Sequence, residues 1–148
     1  MDILRAPIDS DDDGALIMTA DIAENVQARI AYGDPSTILE SVYNAAVSFQ
    51  DFIPDTFNVF SCAARRTFWG DDEVGNETEP FQSLAPTSGF YTSGEFLRNG
   101  DYVNQHNVTL VIEAQREGDV KGRDIPQVEM DTEELRKLQG LLPLYGDG

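Results

Sequence analysis

The stretch NVFSCAARRTFWG, residues 58–70, holds the chain's only cysteine, Cys62, and sets Arg65 beside Arg66 just after it. The two arginines are a concentrated charge, since only 10 Lys and Arg occur in 148 residues of formal net charge −17. A thiolate nucleophile needs a base or cation to hold it, and Arg65 or the single histidine, His106, is positioned in sequence to serve. Against this, Cys62 ends an apolar run, where cysteine behaves as a small buried hydrophobe, and no glycine-rich nucleophile elbow surrounds it. The arginines follow a predicted strand's carboxyl end, where ligands of open α/β sheets collect. Arginine there grips a carboxylate or phosphate through two parallel hydrogen bonds. Strand alternation sends Arg65 and Arg66 to opposite faces, so at most one faces a pocket. The alternative is that each neutralises acids nearby, such as Asp71, Asp72 or Glu73.

A second group of polar residues lies in GFYTSGEF, residues 89–96. Read as one strand, it puts Tyr91, Ser93 and Glu95 on a single face, more polar than a core tolerates without partners. Gly89 and Gly94 permit close backbone approach. His106 and Asn107 open the last predicted strand. A lone histidine is more often a hydrogen-bonded structural residue than a ligand, although one axial imidazole suffices for haem. DSDDDG, residues 9–14, nearly matches a calcium loop, but Ala20 stands where a bidentate glutamate is required. An acidic surface turn is the better reading.

Composition narrows the function. Twenty-seven acidic residues against 10 basic ones argue against nucleic acid and against anionic membranes, which need clustered Lys and Arg. A single cysteine makes no internal disulfide and, with one histidine, no protein-only zinc site. No stretch approaches the ~20 apolar residues of a membrane span. The acidic N-terminal segment lacks the layout of a signal peptide, so a reducing, cytoplasmic setting is expected.

The elements that must position these groups follow from periodicity. GALIMTADI and NVQARIAY predict a strand pair, the second with Val26, Ala28, Ile30 and Tyr32 on one face. GDPSTILESVYNAAVSFQDF predicts a helix capped by Asp34 or Ser36, with Pro35 in its first turn and Ile38, Val42, Ala45, Ala46 and Phe49 inward. TFNVFSCAA reads as a strand covered on both faces. DDEVGNETEPFQSLA reads as loop and short helix, Asn99-Gly100 as a turn, and HNVTLVIEAQRE as a strand. The expected fold is α+β, a mixed β-sheet of order β-β-α-β-α-β-β packed with helices. Residues 1–118 are expected to form one sensory domain. Residues 119–148 are expected to be a linker and a C-terminal helix from about Asp131, with Leu135, Leu138 and Leu142 as its stripe.

In this order VFSCAARR, GFYTSGEF and QHNVTL, preceded by DGALIMTADIAENVQARIAYGDP, resemble the C-terminal half of the FIST sensor module, from about Leu4 to Glu117. The resemblance implies a non-enzymatic, cytoplasmic ligand-sensing domain of bacterial or archaeal signalling proteins. Such domains are joined to outputs such as diguanylate cyclases, histidine kinases or chemotaxis receptors. It implies a small polar ligand, amino acids among them, and no obligatory cofactor. Because some family members bind haem, a haem-based nitric oxide sensor using His106 is the alternative. Cys62, Arg65, Tyr91, Ser93, Glu95, His106 and Asn107 fall in or beside the matching segments and are the candidate ligand-binding residues. Arg65 is expected to hold an acidic group, Glu95 an amine, and Tyr91 to orient the molecule. The module's N-terminal half and an output domain are the expected partners, which would make this chain a fragment.

Overall fold

The computed structural model describes residues 3–73, 75–130, 132, 133 and 136. The chain opens with an antiparallel hairpin of β1, Pro7–Ser10, and β2, Leu16–Met18. Its turn is the acidic DSDDDG stretch. The Asp11 carboxylate accepts the N–H groups of Asp13 at 3.0 Å and Ala15 at 2.8 Å, the local bonding that makes aspartate a turn residue. The expected pairing partner, residues 25–32, forms no strand. Asn25 turns the chain at φ 62°, and Ile30 and Tyr32 stand 102% and 87% exposed. Period-two alternation marks a strand only where an edge is available to pair with it.

Helix α1, Pro35–Val47, begins as its sequence predicts. Asp34 caps it by accepting the Thr37 N–H at 2.8 Å and the Ser36 hydroxyl at 2.6 Å, and Pro35 occupies the first turn. The buried stripe is Leu39, Val42, Tyr43 and Ala46, rotated slightly from the expected one, so Ile38 and Ala45 lie at its flank. A single 3-10 turn, Gln50–Phe52, leads to β3, Thr56–Cys62.

Helix α2, Ala63–Glu73, starts directly after Cys62 and breaks at Gly70, φ 75°. This corrects the expectation that Arg65 and Arg66 hang from a strand end. Ala63 and Ala64 are strong helix formers and turn the chain before the arginines, which lie about 100° apart on a helix rather than on opposite strand faces. Helix α3, Glu79–Gln82, precedes β4, Thr87–Thr92. The stretch expected as one strand over residues 88–96 is two, because Ser93 and Gly94 turn the chain. Next come β5, Glu95–Asn99, β6, Tyr102–His106, and β7, Leu110–Gln115. Gly100, φ 61°, supplies the expected turn between β5 and β6.

Strand β3 is central in a sheet of order β4-β3-β7, and β5 pairs with β6 alone. Asp55 N–H bonds Gln115 O and Cys62 N–H bonds Thr109 O, so β7 runs antiparallel to β3. Phe57 N–H bonds Pro86 O and the Thr92 hydroxyl bonds Ser61 O, so β4 runs parallel to it. The connection through α2 and α3 is a parallel crossover, and the α+β mixed sheet holds, with more strands among the described residues than the sequence order counts. At Gly89 β4 meets β3 closely. A Cβ there would stand 1.9 Å from Val59 O, so only glycine fits.

Two compact units make up the chain. One comprises Ile30–Phe57, Gly75–Thr87 and Ala114–Gly148. Its interior is the edge-to-face trio Phe49, Phe57 and Phe81 with the α1 stripe, and Phe57 and Phe81 are fully buried. Each such ring contributes about 2–3 kcal/mol by leaving water. Arg123 pairs with Asp55 at this unit's surface. The other unit comprises Met1–Arg29, Asn58–Val74 and Ser88–Glu113. The expected C-terminal helix, with Leu135, Leu138 and Leu142, lies outside the described residues.

Candidate functional site

The second unit has a polar interior. Its buried residues include Val59, Cys62 and Trp69, but also Ser61, Glu95, His106 and Asn107. The register of the β5–β6 hairpin sets Glu95 directly opposite His106, and both are 3% exposed. Opposed residues share a face, so a carboxylate and an imidazole lie on the buried side of the hairpin. The outer face of the same hairpin carries Phe96 and Val103, both exposed. The hairpin therefore inverts the usual pattern, burying charge and exposing apolar groups.

Asn107 fixes the corner between β6 and β7. Fully buried, it donates from Nδ2 to Ser93 O at 3.3 Å, and its Oδ1 accepts Arg5 Nη1 at 3.4 Å. Arg5 also donates to Gln105 O at 3.1 Å. Beyond Asn107, Val108 is held at φ 57°, a conformation that costs a β-branched residue about 1–3 kcal/mol. Arg65 Nη1 donates to Val108 O at 3.0 Å, and Cys62 N–H donates to Thr109 O at 3.0 Å. Those bonds from α2 and β3 hold the strained corner in place. Gly94 lies against it too: a Cβ there would stand 2.6 Å from Gln105 Nε2 and 3.4 Å from Asn107 Nδ2. The glycine's expected role in close approach is met.

Glu95 is the most demanding group. Its Oε1 accepts the Thr92 hydroxyl, while Oε2 is buried with no hydrogen-bond partner among the described residues. Ser61 Oγ and Trp69 Nε1 are in the same condition. A buried polar atom left unmatched costs about 1–3 kcal/mol, more when charged. Such atoms mark where a donor or acceptor from outside is wanted.

Of the seven candidate residues, six gather about the 107–109 corner: Ser93, Glu95, His106 and Asn107 directly, Arg65 and Cys62 through their bonds to it. Tyr91 does not join them. Strand alternation turns it away from Thr92, and Arg66 lies over its ring at 5.7 Å. Arg66 also pairs with Asp71 at 3.4 Å, an exposed contact worth at most about 1 kcal/mol. This is the acid-neutralising role that the alternative reading expected of both arginines, while Arg65 donates to Val108 O. Cys62 is a free thiol and only 3% exposed, which fits a packed thiol rather than a nucleophile.

The cross-strand neighbour of His106 is a buried carboxylate and its chain neighbour a buried amide. Among the described residues, no group of three or more His, Cys, Asp or Glu could hold a metal ion, and no helix is long and apolar enough to cross a membrane. Sequence reasoning missed Arg5, Ser61 and Thr92. Arg5 is a lone basic residue in an acidic segment, and only the fold brings it to Asn107.

Comparison with known proteins gives one family. The model described as the FIST C domain matches residues 1–98, ending within β5 and short of His106 and Asn107. No curated protein and no solved structure matches the chain.

Proposed function

This chain belongs to the FIST C domain family, a family of sensory domains in signal-transduction proteins, and on that premise we propose that it senses a small polar molecule at the Glu95 cluster. The observation that carries this reading is Glu95 Oε2, buried and unmatched among the described residues on the strand position facing His106. A ligand amine donates to that oxygen, and Ser61 Oγ adds a second polar contact. An amino acid meets these requirements, with its amine at Glu95. Its acidic group would go to Arg65, whose Nη1 is already engaged by Val108 O, so the ligand must share that guanidinium. Tyr91 faces elsewhere and is dropped from the orienting role.

The domain acts without bond chemistry, in the cytoplasm, and passes occupancy to an output domain. A ligand shifts a conformational equilibrium only by binding one state more tightly than the other. The strained Val108 corner, tied to α2 by Arg65, is the element poised to have two arrangements. The test is a thermal-shift screen of amino acids and small anions on the full chain. A selective ligand raises Tm by mass action, and Glu95→Gln is expected to remove the rise. A ligand that stabilises wild type and Glu95→Gln equally, or no stabilising compound in the set, would sink the reading.

A further inference from the structure

Thr92 has fewer protons than its position demands. Its Oγ1 lies within hydrogen-bonding reach of two atoms, Ser61 O at 3.2 Å and Glu95 Oε1. A hydroxyl carries one proton, and a backbone carbonyl and an ionised carboxylate can only accept. The two acceptors therefore compete. Bonds to an ionised acceptor are shorter and roughly twice as strong as neutral ones, so the carboxylate takes the larger share. Ser61 O is left with the weaker share of that proton, on a residue whose own hydroxyl is also unmatched among the described residues.

We propose that Thr92 is a one-proton switch that reports occupancy of Glu95 to the backbone of β3. When a hydrogen-bond-donating cation meets Oε2, the pull of the carboxylate on Thr92 falls, and the proton swings to Ser61 O. No bond other than hydrogen bonds is made or broken. Ser61 immediately precedes Cys62 and α2, so tightening there acts on the strand end that carries Arg65 to the Val108 corner. The proposal rests on Glu95 being the receptor group and adds how its occupancy leaves the site.

The test needs no identified ligand, because Glu95→Gln removes the charge permanently. In the full chain, carbon-detected NMR follows the Ser61 carbonyl, which moves downfield when it gains a hydrogen bond. Glu95→Gln is expected to move it downfield with threonine or serine at position 92, and to leave it unmoved in the Thr92→Val and Thr92→Ala backgrounds. Movement of equal size in both of those backgrounds, or none with Thr92 in place, overturns the switch. Amide-resonance dispersion identifies any variant that does not fold, and the second alanine background covers that case. Ammonium chloride is then compared with tetramethylammonium chloride, which carries the charge but no donor. Ammonium alone is expected to move the Glu95 carboxyl carbon and Ser61 together. An unmoved Glu95 carboxyl counts against the receptor reading, whereas a moving Glu95 with a fixed Ser61 counts against the switch.

Discussion

The two compact units differ in what they bury. The unit around α1 closes on interlocked aromatic rings, Leu39, Val42 and Tyr43, and draws its stability from apolar surface removed from water, while its buried Ser36 and Glu77 both have partners. The unit around Asn107 buries a carboxylate, an imidazole, an amide and a hydroxyl, and it holds Ser61 Oγ, Trp69 Nε1 and Glu95 Oε2 without partners among the described residues. Apolar packing has no direction and rewards any well-filled volume, so it serves stability. Buried polar groups are costly unless matched in position and polarity, so they serve recognition. The lesson is a division of labour: one unit is built to stay folded, the other to be completed by something else.

The comparison can be broken most decisively in the apolar unit. Phe57→Ala opens a cavity at a fully buried ring, and urea unfolding is expected to show a loss of about 4 kcal/mol. A loss below about 1 kcal/mol would mean that the trio is not the core it resembles. Next comes Gly89→Ala in the polar unit, where the new Cβ would meet Val59 O at 1.9 Å. The backbone must move, and about 3 kcal/mol is expected to be lost. Preserved stability would show that β3 and β4 are more widely spaced than described.

A smaller effect of opposite sign sharpens the contrast. Glu95→Gln replaces a buried, half-matched carboxylate by a neutral group of the same shape, so stability is expected to hold or rise by about 1 kcal/mol. A fall as large as that of Phe57→Ala would make Glu95 a structural residue and erase the division. The smallest effect is in acid. The hydrogen bond from Ser36, then the Thr37 N–H, holds the Asp34 carboxyl below its ordinary range. Arg123, then the Glu117 N–H, does the same for Asp55. Lowered folded-state values mean stability that is present above the unfolded carboxylate range and lost as pH falls through the folded one. Both groups belong to the apolar unit. Arg123→Ala should flatten the acid limb of a stability–pH curve, and an unchanged limb would show the Asp55 pair to be inert.

Much of the local structure was legible in the chain. The Asp34 cap, Pro35, the Asn99-Gly100 turn and the apolar β3 run all depend on neighbours a few residues away, and all appear. Gly89 and Gly94 were legible as places of close approach, though not what they approach. Errors fell where local signals left a choice open. TFNVFSCAA continues as apolar residues through Ala64, and nothing in its periodicity says that the strand ends at Cys62. Likewise NVQARIAY alternates well, but an edge to pair with is a property of the fold.

The sequence by itself determined the family, the acidic solvated character, the α+β class and the set of residues worth watching, because composition and short-range periodicity are carried by contiguous residues. Only the tertiary structure decided which of those residues meet. It set Glu95 against His106, gave Asn107 to Arg5 across 102 positions, and turned Tyr91 outward to Arg66. Hydrogen bonds act over about 3 Å, and no local pattern states which distant atoms will come within that range.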